Sequence, residues 1–219
     1  MTRRVLLSAE GPTEETFVRD ILAPRLLAID VEVKPVILAT KRPASGGKFR
    51  GGATTWAQIQ RDLVMLLRDS GVVAVTTMFD LYGLPREVPG VAASAGFAPY
   101  ERVSSIKRAL IERFEDPRFR PYIQLHEFEA LVYAAPDIAA ERSGDLTVAT
   151  MMRKAVAGAG GAELVNERPT TAPSKRIQKA WPGYLKSTDG PAILAESGLD
   201  RLRSSCPHFG EWLTWLESL

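Results

Sequence analysis

The stretch VLLSAEGPTEE, residues 5–15, indicates where an α/β fold begins. It opens with an apolar run that lacks a helical period, which is typical of a strand covered on both faces. Pro12 suits the first position of a helix, and Glu14 and Glu15 then fall in the first turn, where the helix dipole favours anions. The stretch therefore predicts a strand, a turn and a helix, with Glu10 at the strand end.

The same alternation continues through the first half of the chain. Further strands are predicted at 31–39, 72–79 and 121–125, and further helices at 56–69 and 101–114. Alternation of this kind predicts parallel strands with helices on both faces, joined by right-handed crossovers. After Tyr133 the pattern changes to helical pieces broken by Gly and Pro. We predict an α/β core over residues 1–135 and a helical C-terminal cap over 136–219 that packs on the sheet.

Composition excludes several classes of protein. With 219 residues, of which 45% are hydrophobic, the chain can bury one full core. A net charge of +2 argues against a polycation that wraps nucleic acid. The single cysteine, Cys206, excludes an internal disulfide and favours a reducing compartment. No stretch reaches the roughly 18 apolar residues of a membrane span, so we expect a cytoplasmic protein.

Acidic residues end two of the predicted strands. Glu10 closes the first strand and Asp80 closes the third, and ligands of parallel α/β sheets gather beyond such strand ends. If these strands are neighbours, both carboxylates meet at one edge, where Glu14 joins them from the following turn. Clustered acids raise one another's pKa unless a cation lies between them, and oxygen ligands suit Mg²⁺. The alternative for Glu14 is an ordinary first-turn acid that stabilises its helix.

Four separated motifs carry a resemblance to a known family. They are EGPTEETFV (10–18), MFDLYGLP (78–85), PYIQLHEFEALVYA (121–134) and TAPSKRI (171–177). In this order they resemble the bacterial domain-of-unknown-function 4276 family, whose fold is similar to Toprim. Toprim is the metal-binding α/β module of topoisomerases, primases and OLD-type nucleases.

The resemblance implies roles for the strand-end acids. Glu10 would be the Toprim glutamate after the first strand, and Asp80 would be the first acid of its Asp-x-Asp motif. This chain departs from the pattern, because Tyr82 occupies the position of the second aspartate. One ligand must then come from Glu14, or from Glu127 and Glu129.

The segment HEFEA, residues 126–130, contributes further candidates. It is not the zinc motif HExxH, because Ala130 replaces the second histidine. As a strand it would place Glu127 and Glu129 on one side, whereas in a helix they would point roughly 200° apart and only one could join a site. We favour Glu127 as a metal ligand or base. His126 is a candidate general acid or base, or else makes a structural hydrogen bond.

Basic residues form two groups. The Gly-rich segment KRPASGGKFRGG predicts a surface loop whose cations can hold a phosphate backbone; they are Lys41, Arg42, Lys48 and Arg50. The alternative is a merely solvated loop. Further along the chain, Lys175 and Arg176 lie at a predicted helix start, which is a fair anion site. There Lys175 can neutralise charge in a transition state.

These patterns favour a Toprim-like phosphodiesterase that uses Mg²⁺ or Mn²⁺ on nucleic acid, in a defence or DNA-maintenance system. Glu10, Asp80 and one of Glu14 or Glu127 would hold the ion. Two alternatives stay open. The first is a non-catalytic partner subunit of an ATPase, which Tyr82 favours, and the second is a small-molecule phosphohydrolase.

Overall fold

The computed structural model describes residues 2–38, 54–166 and 172–219. Its strands are β1 (Arg3–Ala9), β2 (Val31–Ile37), β3 (Ala74–Asp80), β4 (Phe119–Arg120) and β5 (Ile123–Gln124). The first helices are α1 (Pro12–Phe17), α2 (Ala23–Leu27), α3 (Trp56–Leu67), α4 (Pro99–Phe114) and α5 (Glu129–Val132). The later helices are α6 (Pro136–Ser143), α7 (Leu146–Ala159), α8 (Pro173–Ala180), α9 (Lys186–Ser197), α10 (Leu199–Ser205) and α11 (Pro207–Ser218). The predicted strand over 121–125 is therefore shorter than expected, and β4 precedes it.

The described strands form one parallel arrangement around β1 and β3. β2 pairs with one side of β1, β3 pairs with the other, and both β4 and β5 pair with β3. Ala9 lies opposite Ile37 and Met78, and Asp80 lies opposite Gln124. The carboxyl ends of β1, β3 and β5 consequently lie at the same edge of the sheet. The strands that end at Glu10 and Asp80 are neighbours, which is the condition under which the sequence places both carboxylates at one edge.

Helices cover both faces of the sheet, as the buried strand pattern predicts. Val5 and Leu7 belong to a core shared with α1, α2 and the C-terminal helices, whereas Leu6 belongs to a second core with α3 and α4. Side chains alternate between the faces of a strand, so a continuous apolar run needs cover on both. The α/β fold class with a helix-flanked parallel sheet is confirmed, and it is consistent with a Toprim-like fold.

The helix predicted after Pro12 is not uniform. α1 is followed by a π-helical turn, Val18–Leu22, before α2 begins. The N–H of Ala23 bonds to the carbonyl of Val18, five residues earlier. Pro24 comes next and has no N–H to donate, which gives a physical reason for irregular helix geometry at this point.

The C-terminal helices pack on the sheet through aromatic side chains. Trp212 of α11 stacks on Tyr122 with a centroid separation of 4.4 Å, and its Nε1 donates to Thr76 Oγ1 at 3.0 Å. Leu216 is also buried, while Trp215 is partly exposed beneath the Arg120 guanidinium. Trp212 therefore closes the core between α11 and the sheet. The domain boundary at residue 135 stays a prediction.

Two observations bear on the compositional expectations. No helix in the described ranges has the length and apolar character needed to cross a membrane. Cys206 is buried at the start of α11, and burial raises the pKa of its thiol, so the group is poorly reactive. Cytoplasmic localisation stays a prediction.

Candidate cation-binding site

The ends of β1 and β3 are joined directly by an acidic side chain. Glu10 donates its N–H to the carbonyl of Met78 at 3.3 Å, which extends the β1–β3 pairing by one residue. Its carboxylate then accepts the N–H of Asp80 through Oε2 at 2.9 Å. Parallel pairing of the two strands thus brings together residues 70 positions apart in sequence.

Gly83 packs against the Glu10 carboxylate. A Cβ atom at this position would lie 2.2 Å from Glu10 Oε1 and 2.7 Å from Oε2. Distances of this size are far shorter than van der Waals contact. Replacing Gly83 with any other residue would therefore displace the Glu10 carboxylate or the turn. Sequence reasoning missed Gly83, although the turn signal LYGLP was visible.

Asp80 is the least compensated acid of this edge. Its Oδ1 is buried and has no hydrogen-bond donor among the described residues. Burial raises the pKa of Asp80 well above its usual value, and the nearby carboxylates raise it further; they are Glu14, Glu10, Glu129 and Glu127 in decreasing order of effect. We call these five residues the acid cluster. Such a group is costly to ionise unless a cation approaches it.

Glu14 projects from the first turn of α1 and is buried. Burial raises its pKa to about 7, and the charges of Glu10 and Glu129 add to this effect. Its neighbour Glu15 is partly exposed and belongs to none of these interactions. Glu14 therefore lies with the cluster, whereas Glu15 has the place of an ordinary first-turn acid.

The HEFEA segment follows neither of the two geometries considered from sequence. The chain bends at His126, whose φ is +64°, and α5 begins only at Glu129. Lys186 Nζ contacts Glu127 Oε2 at 3.0 Å and Glu129 Oε2 at 3.3 Å. The segment does not start as a helix, so the case in which only one of the two acids could join a site does not arise, and the bend lets both meet the same amine.

Glu127 also anchors α8. Its Oε1 accepts the N–H of Ser174 at 2.5 Å, in the first turn of that helix. The anion site predicted at the start of α8 thus holds a carboxylate of the same chain, which the helix dipole favours. Lys175 is exposed, and Arg176 lines a cavity of about 680 Å³ between α7 and α8.

His126 is buried beside the ring of Tyr82. Its ring nitrogens are buried without hydrogen-bond partners among the described residues, and its ring lies 5.5 Å from that of Tyr82. Burial lowers the pKa of His126 to about 4, and the charge of Arg102 lowers it further. The imidazole is therefore neutral near neutral pH. Its carbonyl, rather than its ring, makes the structural bond, by accepting the N–H of Tyr82 at 3.0 Å.

Lys186 is a second residue of this edge, after Gly83, that sequence reasoning missed. It is the first residue of α9 and lies 59 positions after Glu127. Its own sequence surroundings contain no motif that singles it out. By contrast, four of the predicted nucleic-acid contacts, Lys41, Arg42, Lys48 and Arg50, lie outside the described residues.

The acid cluster consists of carboxylates, which are the ligands that hard divalent cations prefer. Within residues 2–38, 54–166 and 172–219, no three or more Asp, Glu, His or Cys side chains form a ready metal-binding group. The chemistry of the donors nevertheless fits a hard cation, because all are carboxylate oxygens and Asp80 Oδ1 has no donor. Glu10, Glu14 and Asp80 are the candidate ligands, and side-chain rotation is needed for them to converge.

Stability without divalent ions should fall as pH rises. The pKa of Glu14 is about 7 in the folded chain and about 4.5 when unfolded, so the folded state binds more protons between these values. The contribution of protonated Glu14 to the free energy of unfolding is fully present below about pH 4.5 and is lost as the pH passes about 7. Between about pH 4.5 and 7 the free energy of unfolding should fall less in Glu14→Gln than in wild type, by on the order of 2 kcal/mol, as measured by thermal melts at each pH. Glu15→Gln should keep the wild-type slope, and equal slopes for Glu14→Gln and wild type would contradict the assignment.

Fold and site together define an α/β protein with a parallel sheet and an acid cluster at its carboxyl edge. The chain belongs to the family described as a domain of unknown function, DUF4276, whose model matches residues 9–217.

Two solved structures are similar to this chain. Both are of the C-terminal region of the Xanthomonas campestris pv. campestris OLD protein, one phased with iodine and one with mercury. The first has a TM-score of 0.43 and 16% identity, and covers 100% of this chain and 99% of that one. The second has a TM-score of 0.41 and 15% identity, with 98% of each chain covered. None of the curated proteins compared with the chain matches it.

Proposed function

We propose that this protein is a divalent-cation-dependent phosphodiesterase that acts on nucleic acid. The observation that carries the proposal is the Asp80 carboxylate, whose Oδ1 is buried without a donor among the described residues and beside other acids. A purely structural role would leave this charge unexplained, because buried carboxylates are normally paired or hydrogen-bonded.

The described residues support distinct roles in such a site. Glu10, Glu14 and Asp80 hold Mg²⁺ or Mn²⁺, and Gly83 keeps the first of these carboxylates in place. When bound, the ion lowers the pKa of a water molecule and offsets charge that develops on the phosphate. His126 is the candidate base because its neutral ring nitrogens have no hydrogen-bond partner among the described residues, although a pKa of about 4 makes the imidazole a weak base at neutral pH.

Nucleic acid is proposed as the substrate because of the sequence that follows β2. β2 ends at Ile37, opposite Ala9 and therefore at the edge that carries the acids. The sequence after β2 contains Lys41, Arg42, Lys48 and Arg50, and cations of this kind suit a phosphate backbone. Lys175 and Arg176 on α8 are proposed as further phosphate contacts, with Lys175 offsetting transition-state charge.

Cleavage assays with matched variants test the proposal. Plasmid, single-stranded DNA and RNA are incubated with Mg²⁺, Mn²⁺ or EDTA, and products are separated on gels. We expect cleavage only with a divalent ion, and a loss of about 10²-fold or more in Glu10→Gln and Glu14→Gln. Glu15→Gln removes a carboxylate from the same turn of α1 and should retain activity. Equal activity of all four proteins would remove the catalytic assignment.

A non-catalytic partner subunit of an ATPase is a second candidate. Two observations favour it: Tyr82 stands where the Toprim pattern has an aspartate, and Lys186 already neutralises part of the acid cluster. In that case Mn²⁺ titration of the wild type shows no binding that depends on Asp80. Turnover of nucleotides or simple phosphoesters, with no response to nucleic-acid length, would instead indicate a small-molecule phosphohydrolase.

A further inference from the structure

Lys186 divides the acid cluster into two unequal parts. Its amine contacts both Glu127 and Glu129, at 3.0 and 3.3 Å. Glu10 and Asp80, in contrast, form no ion pair with a described residue, and Asp80 Oδ1 has no donor among them. Among the described residues, a positive charge within bonding distance is therefore found only on the Glu127–Glu129 side, although the charge of Lys186 also lowers the pKa of Glu10.

The backbone that carries this amine and the carboxylates that it contacts are held by the surrounding helices. Lys186 begins α9, and the N–H of the preceding Leu185 donates to Asp189 Oδ2 at 2.7 Å, which ties the chain entering the helix to its first turn. Glu127 is held from its other oxygen by Ser174. Glu129 is 2% exposed, so bulk water contributes little to neutralising it. The amine thus has two pre-placed acceptors, and both acceptors are held by the fold.

The protonated amine in this position supplies the positive charge that a second bound cation would otherwise supply. Acids that crowd together need a compensating positive charge, and either a divalent ion or an ammonium group supplies it. Because the ammonium is covalently attached, no diffusing ion has to be captured on that side. The other acids keep the capacity to hold one ion.

We propose that Lys186 serves as the resident cation of the Glu127–Glu129 side, so that the acid cluster takes up one divalent ion rather than two. The inference rests on the proposed function only in that Glu10, Glu14 and Asp80 are the ligands of that ion. It assigns Lys186, Glu127 and Glu129 a positioning role outside the ligand set.

Mn²⁺ titration by calorimetry, with bound ions counted by electron paramagnetic resonance, tests this inference. Wild type is expected to bind one Mn²⁺ and Lys186→Met two, because two carboxylates lose their counter-charge. Lys186→Arg should again bind one ion. Lys179→Met removes an exposed lysine from α8 and serves as the control, with one ion expected. Two ions in wild type, no ion in wild type, or an unchanged count in Lys186→Met would each overturn the proposal.

A second variant covers the case in which Lys186→Met does not fold. Glu129→Gln leaves Lys186 paired with Glu127 and should still bind one Mn²⁺ with less than a threefold change in affinity. A tenfold or larger loss would show Glu129 to be a ligand and overturn the proposal. One bound ion without cleavage of any substrate defeats the proposed function alone, whereas two bound ions with cleavage defeat this inference alone.

Discussion

Asp80→Asn is expected to abolish divalent-dependent cleavage while making the ion-free protein more stable. At about pH 8 the wild-type carboxyl must either ionise in a buried, acidic setting or hold its proton against the solution, and both cost free energy. An asparagine has no charge, and its amide can donate to the neighbouring carboxylates. We expect cleavage to fall by about 10²-fold or more and the free energy of unfolding to rise by about 1–3 kcal/mol.

Thermal melts in EDTA and cleavage assays in Mg²⁺ measure the two effects separately. A gain of 1 kcal/mol corresponds to about 2–4 °C for a chain of this size. Added Mg²⁺ should raise the melting temperature of wild type but not of Asp80→Asn, because only a folded state with intact ligands binds the ion. A lower melting temperature for Asp80→Asn in EDTA would mean that Asp80 has a stabilising partner. Retained cleavage would show that Asp80 is not a ligand.

Gly83→Ala is expected to weaken metal binding and cleavage, although Gly83 carries no charge and is not a candidate ligand. The added Cβ would lie 2.2 Å from Glu10 Oε1, so either the carboxylate or the turn after β3 must move. Displacement breaks the bond from Asp80 N–H to Glu10 Oε2, a charge-assisted bond whose loss costs about 1–3 kcal/mol. We expect Mn²⁺ affinity to fall at least tenfold, with a parallel loss of cleavage.

Gly96→Ala is the matched control for this substitution. It lies in the same irregular segment between β3 and α4, and a Cβ there would meet nothing within 4 Å. In a Glu10→Gln background, Gly83→Ala should have little further effect on Mn²⁺ binding, because both changes act on one carboxylate. Additive losses in the double variant would show that Gly83 acts through another group.

The strand-end acids illustrate what a local pattern can reveal. Glu10 and Asp80 each interrupt an apolar run where a strand ends, and such a charge has few explanations other than a site. The parallel order of β1 and β3 follows from the alternation of strands and helices. Position along the chain therefore predicted that the two acids meet if their strands are neighbours, and the pairing of β1 with β3 meets that condition.

The HEFEA segment shows what a local sequence pattern cannot predict. A left-handed conformation at His126, with a φ of +64°, is only weakly indicated by the residue type, since histidine is enriched in this region but adopts it rarely, and neither the strand nor the helix interpretation applied. The use of Glu127 as an anchor for α8 depends on a helix that begins 46 residues later. Spacing within the motif could not indicate either contact.

The sequence by itself determined the α/β class, the parallel sheet and the pair of acids at its carboxyl edge, because these depend on periodicity and on interactions between neighbouring elements. Only the tertiary structure decided how the charges are shared. Lys186 meets Glu127 across 59 positions, and Gly83 meets Glu10 through a backbone turn rather than a motif. Contacts of this kind arise from how helices and turns pack in space. Such packing has no periodic signature in the amino-acid sequence.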